Sequence, residues 1–291
     1  MSGGTRLARR TLRDLLTAYK KGGRLVMSTA YDFPMAHVAE AAGVDLILVG
    51  DSLGQVVLGY PDTLSVTLDD MVRHAGAVVR GAPDTFVVAD LPFLTYHVSA
   101  EQALVNAGRL MTEARVQAVK LEGGARVTDT VRRLVEAGIP VMGHLGFTPQ
   151  SVYAFGGYTV QGRTEAAAET LYTDAQALEA AGAFAVVLEM VPAPLAALIT
   201  EAANIPIIGI GAGAATDGQV LVAHDMLGLY WGRAPRFTKK YADLGQAMET
   251  ALRQYADEVR GGVFPAAEHT FSMEPEVLER LRKRHRPHSS T

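Results

Sequence analysis

DLILVGDSLG (45–54) opens with an apolar run, LILVG, that stops abruptly at an aspartate and a serine. A short continuous apolar run bounded in this way reads as a strand buried on both faces, here one that delivers a carboxylate at its tip. The same design recurs along the chain. LVMSTAY (25–31), TFVVADLP (85–92), VQAVKLEGG (116–124), IPVMGHLG (139–146), FAVVLEMVP (184–192) and IPIIGIGAG (205–213) are runs of this kind, each followed by a helical pattern. The pattern after the last is TDGQVLVA; the weaker run HDMLGL (224–229) then supplies an eighth strand, and long helical segments follow from about 240 to 261. Continuous apolar strands alternating with helices predict a parallel sheet, and eight βα units in about 250 residues fit a (β/α)8 TIM barrel. A doubly wound open sheet is the rival, although eight units is long for one.

The 291 residues are 48% hydrophobic, enough for one large core. No shift of composition precedes the C-terminus. Residues 1–272 are therefore expected to form a single barrel domain with an N-terminal helix and C-terminal helices, followed by a basic, flexible tail over 273–291. The net charge of −4 implies no general attraction to nucleic acid or to an anionic membrane. With no cysteine, disulfides and thiolate metal sites are excluded, and a reducing cytoplasm is the simplest location. No apolar run approaches the roughly 20 residues that span a bilayer. The basic N-terminus could pass for a transit peptide, but Leu12, Leu15, Leu16 and Tyr19 share one helical face behind Thr11 and read as a packed helix. Ser99…Gln102 and Thr216…Gln219 have the spacing of capping boxes.

Charge falls at the strand ends. The second strand ends in Asp51-Ser52, the third in Asp90, the fourth in Lys120 and Glu122, the fifth in His144 and the sixth in Glu189. In a barrel these C-terminal ends converge on the one mouth where active sites of this fold are built. Clustered carboxylates repel and are costly to desolvate, and a cation in their midst is the usual remedy. Asp51, Asp90 and Glu122 form an oxygen-rich set that favours Mg2+ over Zn2+. Such an ion chelates a 2-oxo acid and stabilises an enolate beside its carbonyl. Lys120 then neutralises the substrate carboxylate or the developing enolate, or pairs with one of the aspartates. Ser52 positions the substrate carboxylate, and Glu189 serves as general base. His144 is either a substrate contact or a hydrogen-bonding support. His37, His74, His97 and His224 lie in helical or loop contexts and read as structural. GIGAGAATDG (209–218) suggests either a phosphate loop or a tight strand-to-helix turn, the latter favoured. GGYTVQGR (156–163) is a glycine-rich loop long enough for a lid. GYPDTLSVTLDD (59–70) and PRFTKKYADL (235–244) suggest no mechanism.

Taken together, TAYD (29–32), VGDSLG (49–54), GYPDTLSVT (59–67), ADLPF (89–93), VKLEGG (119–124), GHLGFTPQS (143–151), GGYTVQGR (156–163), LEMVP (188–192), IGIGAG (208–213) and HDMLGL (224–229) resemble the 3-methyl-2-oxobutanoate hydroxymethyltransferase family from about residue 11 to 271. The resemblance implies a barrel of the phosphoenolpyruvate-mutase/isocitrate-lyase type, assembled as a homodecamer. It implies transfer of a hydroxymethyl group from 5,10-methylenetetrahydrofolate to C3 of 3-methyl-2-oxobutanoate, giving 2-dehydropantoate for pantothenate synthesis. By the same resemblance Asp51, Asp90 and Glu122 associate with Mg2+; Asp51, Ser52, Asp90 and Lys120 hold the keto acid; and Glu189 is the proton acceptor. The tail from about 273 does not map onto the family pattern. Tyr31, Phe93, Tyr153 and Tyr158 are candidate neighbours of the folate. The alternatives are a C–C or P–C lyase or mutase of the same superfamily, disfavoured by the lack of cysteine, and a non-catalytic keto-acid or folate sensor.

Overall fold

The computed structural model describes residues 9–232 and 234–285. It contains a closed barrel of eight parallel strands in sequential order: β1 (Leu25–Thr29), β2 (Leu46–Val49), β3 (Phe86–Asp90), β4 (Ala118–Glu122), β5 (Val141–Gly146), β6 (Ala185–Glu189), β7 (Ile207–Ile210) and β8 (Gly218–Leu221). β8 closes the ring on β1, with Leu25 opposite Gly218 and Met27 opposite Val220. The helices, in chain order, are α1 (Leu12–Lys20), α2 (Phe33–Ala41), α3 (Leu53–Val56), α4 (Leu68–Gly81), α5 (Ala100–Arg109), α6 (Thr128–Glu136), α7 (Glu165–Ala180), α8 (Ala193–Ala202), α9 (Ala223–Met226), α10 (Leu244–Arg260) and α11 (Pro275–Arg284).

The period of two along each strand sorts its side chains between two apolar regions. One set, Ile47, Val49, Val87, Ala89, Val119, Leu121 and Val141 among them, packs against the helices. The other fills the barrel with Leu25, Met27, Leu46, Leu48, Phe86, Val88, Ala118, Met142, Ala185, Val187, Ile208 and Val220, and Leu15 of α1 belongs to it. Following the interior parity upward explains the charged strand ends. Phe86 and Val88 lead to Asp90, Ala118 leads to Lys120 and Glu122, Met142 leads to His144, and Ala185 and Val187 lead to Glu189. The polar residues are therefore the uppermost interior layer of the same barrel whose lower layers are hydrocarbon.

Thr11 caps α1 by a capping box with Asp14, as the pattern behind Thr11 requires. Ser99 caps α5 by accepting from the Gln102 N–H. Thr216…Gln219 is different. The Thr216 hydroxyl donates to the Gly218 carbonyl and the Gln219 amide folds back onto Thr216 Oγ1, so the polar pair makes a turn rather than a helix start. QVL, expected to be helical, is consequently part of β8, and HDM, expected in the eighth strand, lies in α9. Gly218 makes this possible, because a Cβ there would lie 2.5 Å from the Leu25 carbonyl oxygen of β1.

The chain groups into two compact units, the first ending at Ala242 and the second starting at Asp243. Within the second unit, Tyr255 of α10 packs edge-on against Phe264 at 5.6 Å. Part of the basic tail is ordered as α11, with Pro275 in its first turn, Glu276 near its N-terminus and Arg282, Lys283 and Arg284 in its last turn, all favourable to the helix dipole. Residues 286–291 of that tail and residues 1–8 of the N-terminal segment lie outside the described residues.

Gly218→Ala should weaken barrel closure. Overpacking of this kind costs about 1–3 kcal/mol, read as a lowered thermal midpoint in calorimetry.

Candidate active site

Asp51, Asp90, Lys120, Glu122 and His144 are each 3% exposed, and all lie at one end of the barrel. β3 and β4 place Asp90 and Lys120 opposite one another, and β4 and β5 do the same for Glu122 and His144. Lys120 Nζ lies 2.9 Å from Asp90 Oδ1 and 3.2 Å from His144 Nδ1. His144 continues the chain of contacts, with Nδ1 3.4 Å from Glu122 Oε1 and Nε2 3.2 Å from Glu189 Oε2. Glu189 is the most open of the set, its side chain 15% exposed. Asp51 lies just past β2, where its backbone N–H donates to Asp90 Oδ2 at 3.0 Å. Ser52 follows, with its hydroxyl 2.8 Å from that of Tyr31. All seven residues singled out at the strand ends are thus gathered at one mouth.

The electrostatics follow from burial. Desolvation, then the charges of Asp90 and Glu122, push the Asp51 carboxyl well above the usual carboxylate range. Glu122 is pushed up to about 8, by burial first, against the opposing pull of Lys120 and with the push of Asp90. Burial works to lower the Lys120 ammonium, but Asp90, Glu122 and Asp51 together outweigh it and hold it charged beyond its ordinary range. His144 is lowered by burial and by Lys120, so it stands neutral. Lys120 can only donate. The Lys120 contact therefore assigns the lone pair to His144 Nδ1 and the proton of the neutral ring to Nε2, which lies near Glu189 without an aligned hydrogen bond.

The donor set suits a hard divalent cation. Asp90 Oδ1 and Glu122 Oε1 are buried without an aligned hydrogen bond, the contact of Asp90 Oδ1 with Lys120 being an ion pair only. Among the described residues no three His, Asp or Glu side chains converge as a ready-made metal cage. Mg2+ does not require one, because it keeps several waters and takes only one or two carboxylates directly.

Sequence reasoning missed Gln150 and Tyr96. Gln150 Nε2 donates to Asp51 Oδ2 at 2.8 Å, and its backbone N–H donates to Glu122 Oε2 at 3.0 Å. The Tyr96 hydroxyl donates to Gln150 Oε1 at 2.7 Å. Both lie in loops beyond strand ends, where no periodicity marks them. Met190 is a further unexpected feature, with φ of +49° immediately after Glu189. Of the candidate folate neighbours, Tyr31 is fully buried and offers no open ring face, whereas Tyr153 and Tyr158 are exposed. Their hydroxyls tie the 156–163 loop region to the loop after α3, Tyr153 donating to Asp62 at 2.9 Å and Tyr158 accepting from Gln55 at 2.9 Å. Phe93 packs edge-on against His97 at 5.5 Å. In the 209–218 loop a Cβ on Gly211, where φ is +64°, would lie 2.6 Å from the Phe237 ring, the geometry of a tight turn. Of the histidines read as structural, His74 Nδ1 lies 2.6 Å from the Tyr31 carbonyl and His97 Nδ1 accepts from the Leu94 N–H, whereas His224 Nδ1 is buried without a hydrogen bond.

An eight-stranded parallel barrel with its acids at one mouth defines a class, the (β/α)8 barrel enzymes. Solved structures agree on the fold. A phosphonopyruvate hydrolase superposes with a TM-score of 0.61 at 13% identity, covering 94% of this chain and 96% of the other. A 2,3-dimethylmalate lyase, itself a member of the phosphoenolpyruvate-mutase/isocitrate-lyase superfamily, gives 0.58 at 20% identity, covering 93% of each chain. The model of the ketopantoate hydroxymethyltransferase family matches residues 9–267. Proteins named 3-methyl-2-oxobutanoate hydroxymethyltransferase are 54% identical over 275 residues in Dehalococcoides mccartyi strain 195 and 57% identical over 268 residues in Chloroflexus aurantiacus strain J-10-fl; these cover 94% and 92% of this chain and 98% and 95% of the relatives. The chain belongs to the ketopantoate hydroxymethyltransferase family and is an enzyme, a hydroxymethyltransferase.

The raised Glu122 gives a pH test on chelator-treated protein. Between the ordinary carboxyl value near 4.3 and about 8, the folded state holds a proton that the unfolded state has released, so stability falls as pH rises. His144 acts oppositely, but only below its unfolded value near 6.5. From pH 6.5 to 8 the expected loss is at most about 1.4 kcal/mol per pH unit for each raised carboxyl; Asp51 adds in the same direction as Glu122, so Glu122→Gln should reduce the slope in urea titrations without abolishing it.

Proposed function

We propose that this enzyme transfers a hydroxymethyl group from 5,10-methylenetetrahydrofolate to C3 of 3-methyl-2-oxobutanoate, giving 2-dehydropantoate for pantothenate and coenzyme A synthesis. The observation that carries this reading is the contiguous series Asp90, Lys120, His144, Glu189, which sets a fixed ammonium and a more open carboxylate on opposite ring nitrogens of one neutral imidazole. Asp51, Asp90 and Glu122 would hold Mg2+. When bound, that ion supplies Lewis-acid chemistry, chelating the 2-oxo acid and favouring its enolate.

The chain's own groups do the rest. Lys120, pinned by Asp90, presents a permanent positive charge to the substrate carboxylate or to the oxygen on which charge develops. The Ser52 hydroxyl, held 2.8 Å from that of Tyr31, would turn its proton to the substrate carboxylate while accepting from Tyr31. Glu189 takes the C3 proton, with His144 Nε2 as its polar neighbour, 3.2 Å from Oε2 and without an aligned hydrogen bond. The neutral state of His144 matters here, since an imidazolium would form a full ion pair with Glu189 and blunt it as a base.

The same reading makes the protein a cytoplasmic homo-oligomer, a decamer by family resemblance, without nucleic-acid or membrane partners. No helix among the described residues is long and apolar enough to cross a membrane. Leu244, Met248, Leu252, Tyr255 and Val259 form an exposed apolar stripe along α10, as an oligomer contact would require.

The test is mass spectrometry of 3-methyl-2-oxobutanoate with the folate donor in deuterated water, with Mg2+ and with chelator. Metal-dependent 2-dehydropantoate is expected. Deuterium uptake at C3 without product would keep the enolate chemistry and remove the folate donor; a folded protein giving neither would overturn the proposal in favour of a lyase or a sensor. Glu189→Gln should retain keto-acid binding in calorimetry while C3 exchange slows by about 100-fold or more. Unchanged exchange would assign the base elsewhere.

A further inference from the structure

Gln150 occupies the short helical turn Pro149–Ser151 beyond β5 and is 6% exposed. Its side chain and its backbone N–H each bond one carboxylate of the acid cluster. Nε2 donates to Asp51 Oδ2 at 2.8 Å and to the Leu91 carbonyl at 3.0 Å, which uses both amide hydrogens. Oε1 accepts the single proton of the Tyr96 hydroxyl, and that hydroxyl in turn accepts from the Glu122 backbone N–H at 3.1 Å. The Gln150 backbone N–H donates to Glu122 Oε2 at 3.0 Å. One residue therefore reaches the carboxylates that follow β2 and end β4, 99 and 28 positions away in sequence.

This orientation leaves no mismatched pair. Turned over, Oε1 would face the Leu91 carbonyl, an acceptor in every protonation state of the site. Tyr96 favours the same choice, because its hydroxyl accepts from Glu122 N–H and lies nearer to Oε1, at 2.7 Å, than to the Glu122 carbonyl, at 3.3 Å. In consequence one oxygen of each carboxylate is occupied, Oδ2 of Asp51 and Oε2 of Glu122. Glu122 Oε1 remains buried with no hydrogen bond, and Asp51 Oδ1 accepts none among the described residues.

We propose that Gln150, oriented by Tyr96, is a positioning residue that fixes Asp51 and Glu122 with one oxygen of each left for a divalent cation. This rests on reading the two carboxylates as cation-holding groups. Partners that orient metal ligands typically change metal affinity by about 10- to 100-fold when removed. A merely space-filling Gln150 would alter stability but not metal affinity.

The experiment measures Mn2+ binding to the full-length protein without substrates, by electron paramagnetic resonance and calorimetry, for wild type, Gln150→Leu, Tyr96→Phe and the double variant. Circular dichroism verifies folding. Gln150→Leu should weaken Mn2+ binding by about 10- to 100-fold. Tyr96→Phe should weaken it less, and the double variant should match Gln150→Leu, because Tyr96 acts through the amide. Raising Mg2+ should restore kcat in Gln150→Leu, as a packing defect would not allow. A folded Gln150→Leu that binds Mn2+ within twofold of wild type would overturn the proposal. If Gln150→Leu fails to fold, Tyr96→Phe decides, and unchanged affinity there overturns it. Wild type that binds no Mn2+ would remove the cation reading itself, and this proposal with it.

Discussion

Lys120 Nζ lies 2.9 Å from Asp90 Oδ1 with both side chains 4% exposed, and the mouth of the barrel is organised around that pair. A buried ion pair adds little net stability, but removing one partner leaves an uncompensated charge at a cost of about 3–5 kcal/mol. Here a single ammonium faces three carboxylates, Asp90, Glu122 and Asp51. Full ionisation of that cluster is costly in a dry interior, and burial with mutual repulsion raises the Asp51 and Glu122 carboxyls. Carboxyls raised for want of positive charge are ones that a divalent cation would bring back down on binding.

The barrel makes this arrangement tolerable by confining it. Below the acid layer the interior is hydrocarbon, Val88, Ala118, Met142 and Val187 standing on the same strands as the charged residues. Strand geometry delivers each polar group at a fixed height, so Asp90 meets Lys120 and Glu122 meets His144 by register alone. The loops add what strands cannot. Gly146, with φ of +90°, closes so tightly on β6 that a Cβ would lie 2.2 Å from the Glu189 carbonyl oxygen, and the chain then turns to place Gln150 over Asp51 and Glu122.

Where reading from pattern went astray, local chemistry had two meanings. Thr216 and Gln219 have capping-box spacing, and the same side chains serve a turn once Gly218 must press against Leu25. A four-residue strand is too short for its period to outweigh that signal. The charged segment over Pro275–Arg284 has only Val277, Leu278 and Leu281 as apolar residues, so pattern gave it no helix although its termini suit the dipole.

The sequence by itself determined the barrel, because continuous apolar strands and intervening helices leave few ways to bury their faces. It also determined which residues stand at the mouth, because Asp90, Lys120, Glu122, His144 and Glu189 end apolar runs and inherit their parity. Tertiary structure alone decided how those groups divide their hydrogen bonds. That Lys120 chooses Asp90, that His144 stands between Lys120 and Glu189, and that Gln150 takes one oxygen from each of two acids depend on contacts 24 to 99 residues apart in the chain. No periodicity carries that information, since hydrogen-bond direction is set by the angles at which separate strands and loops meet in space.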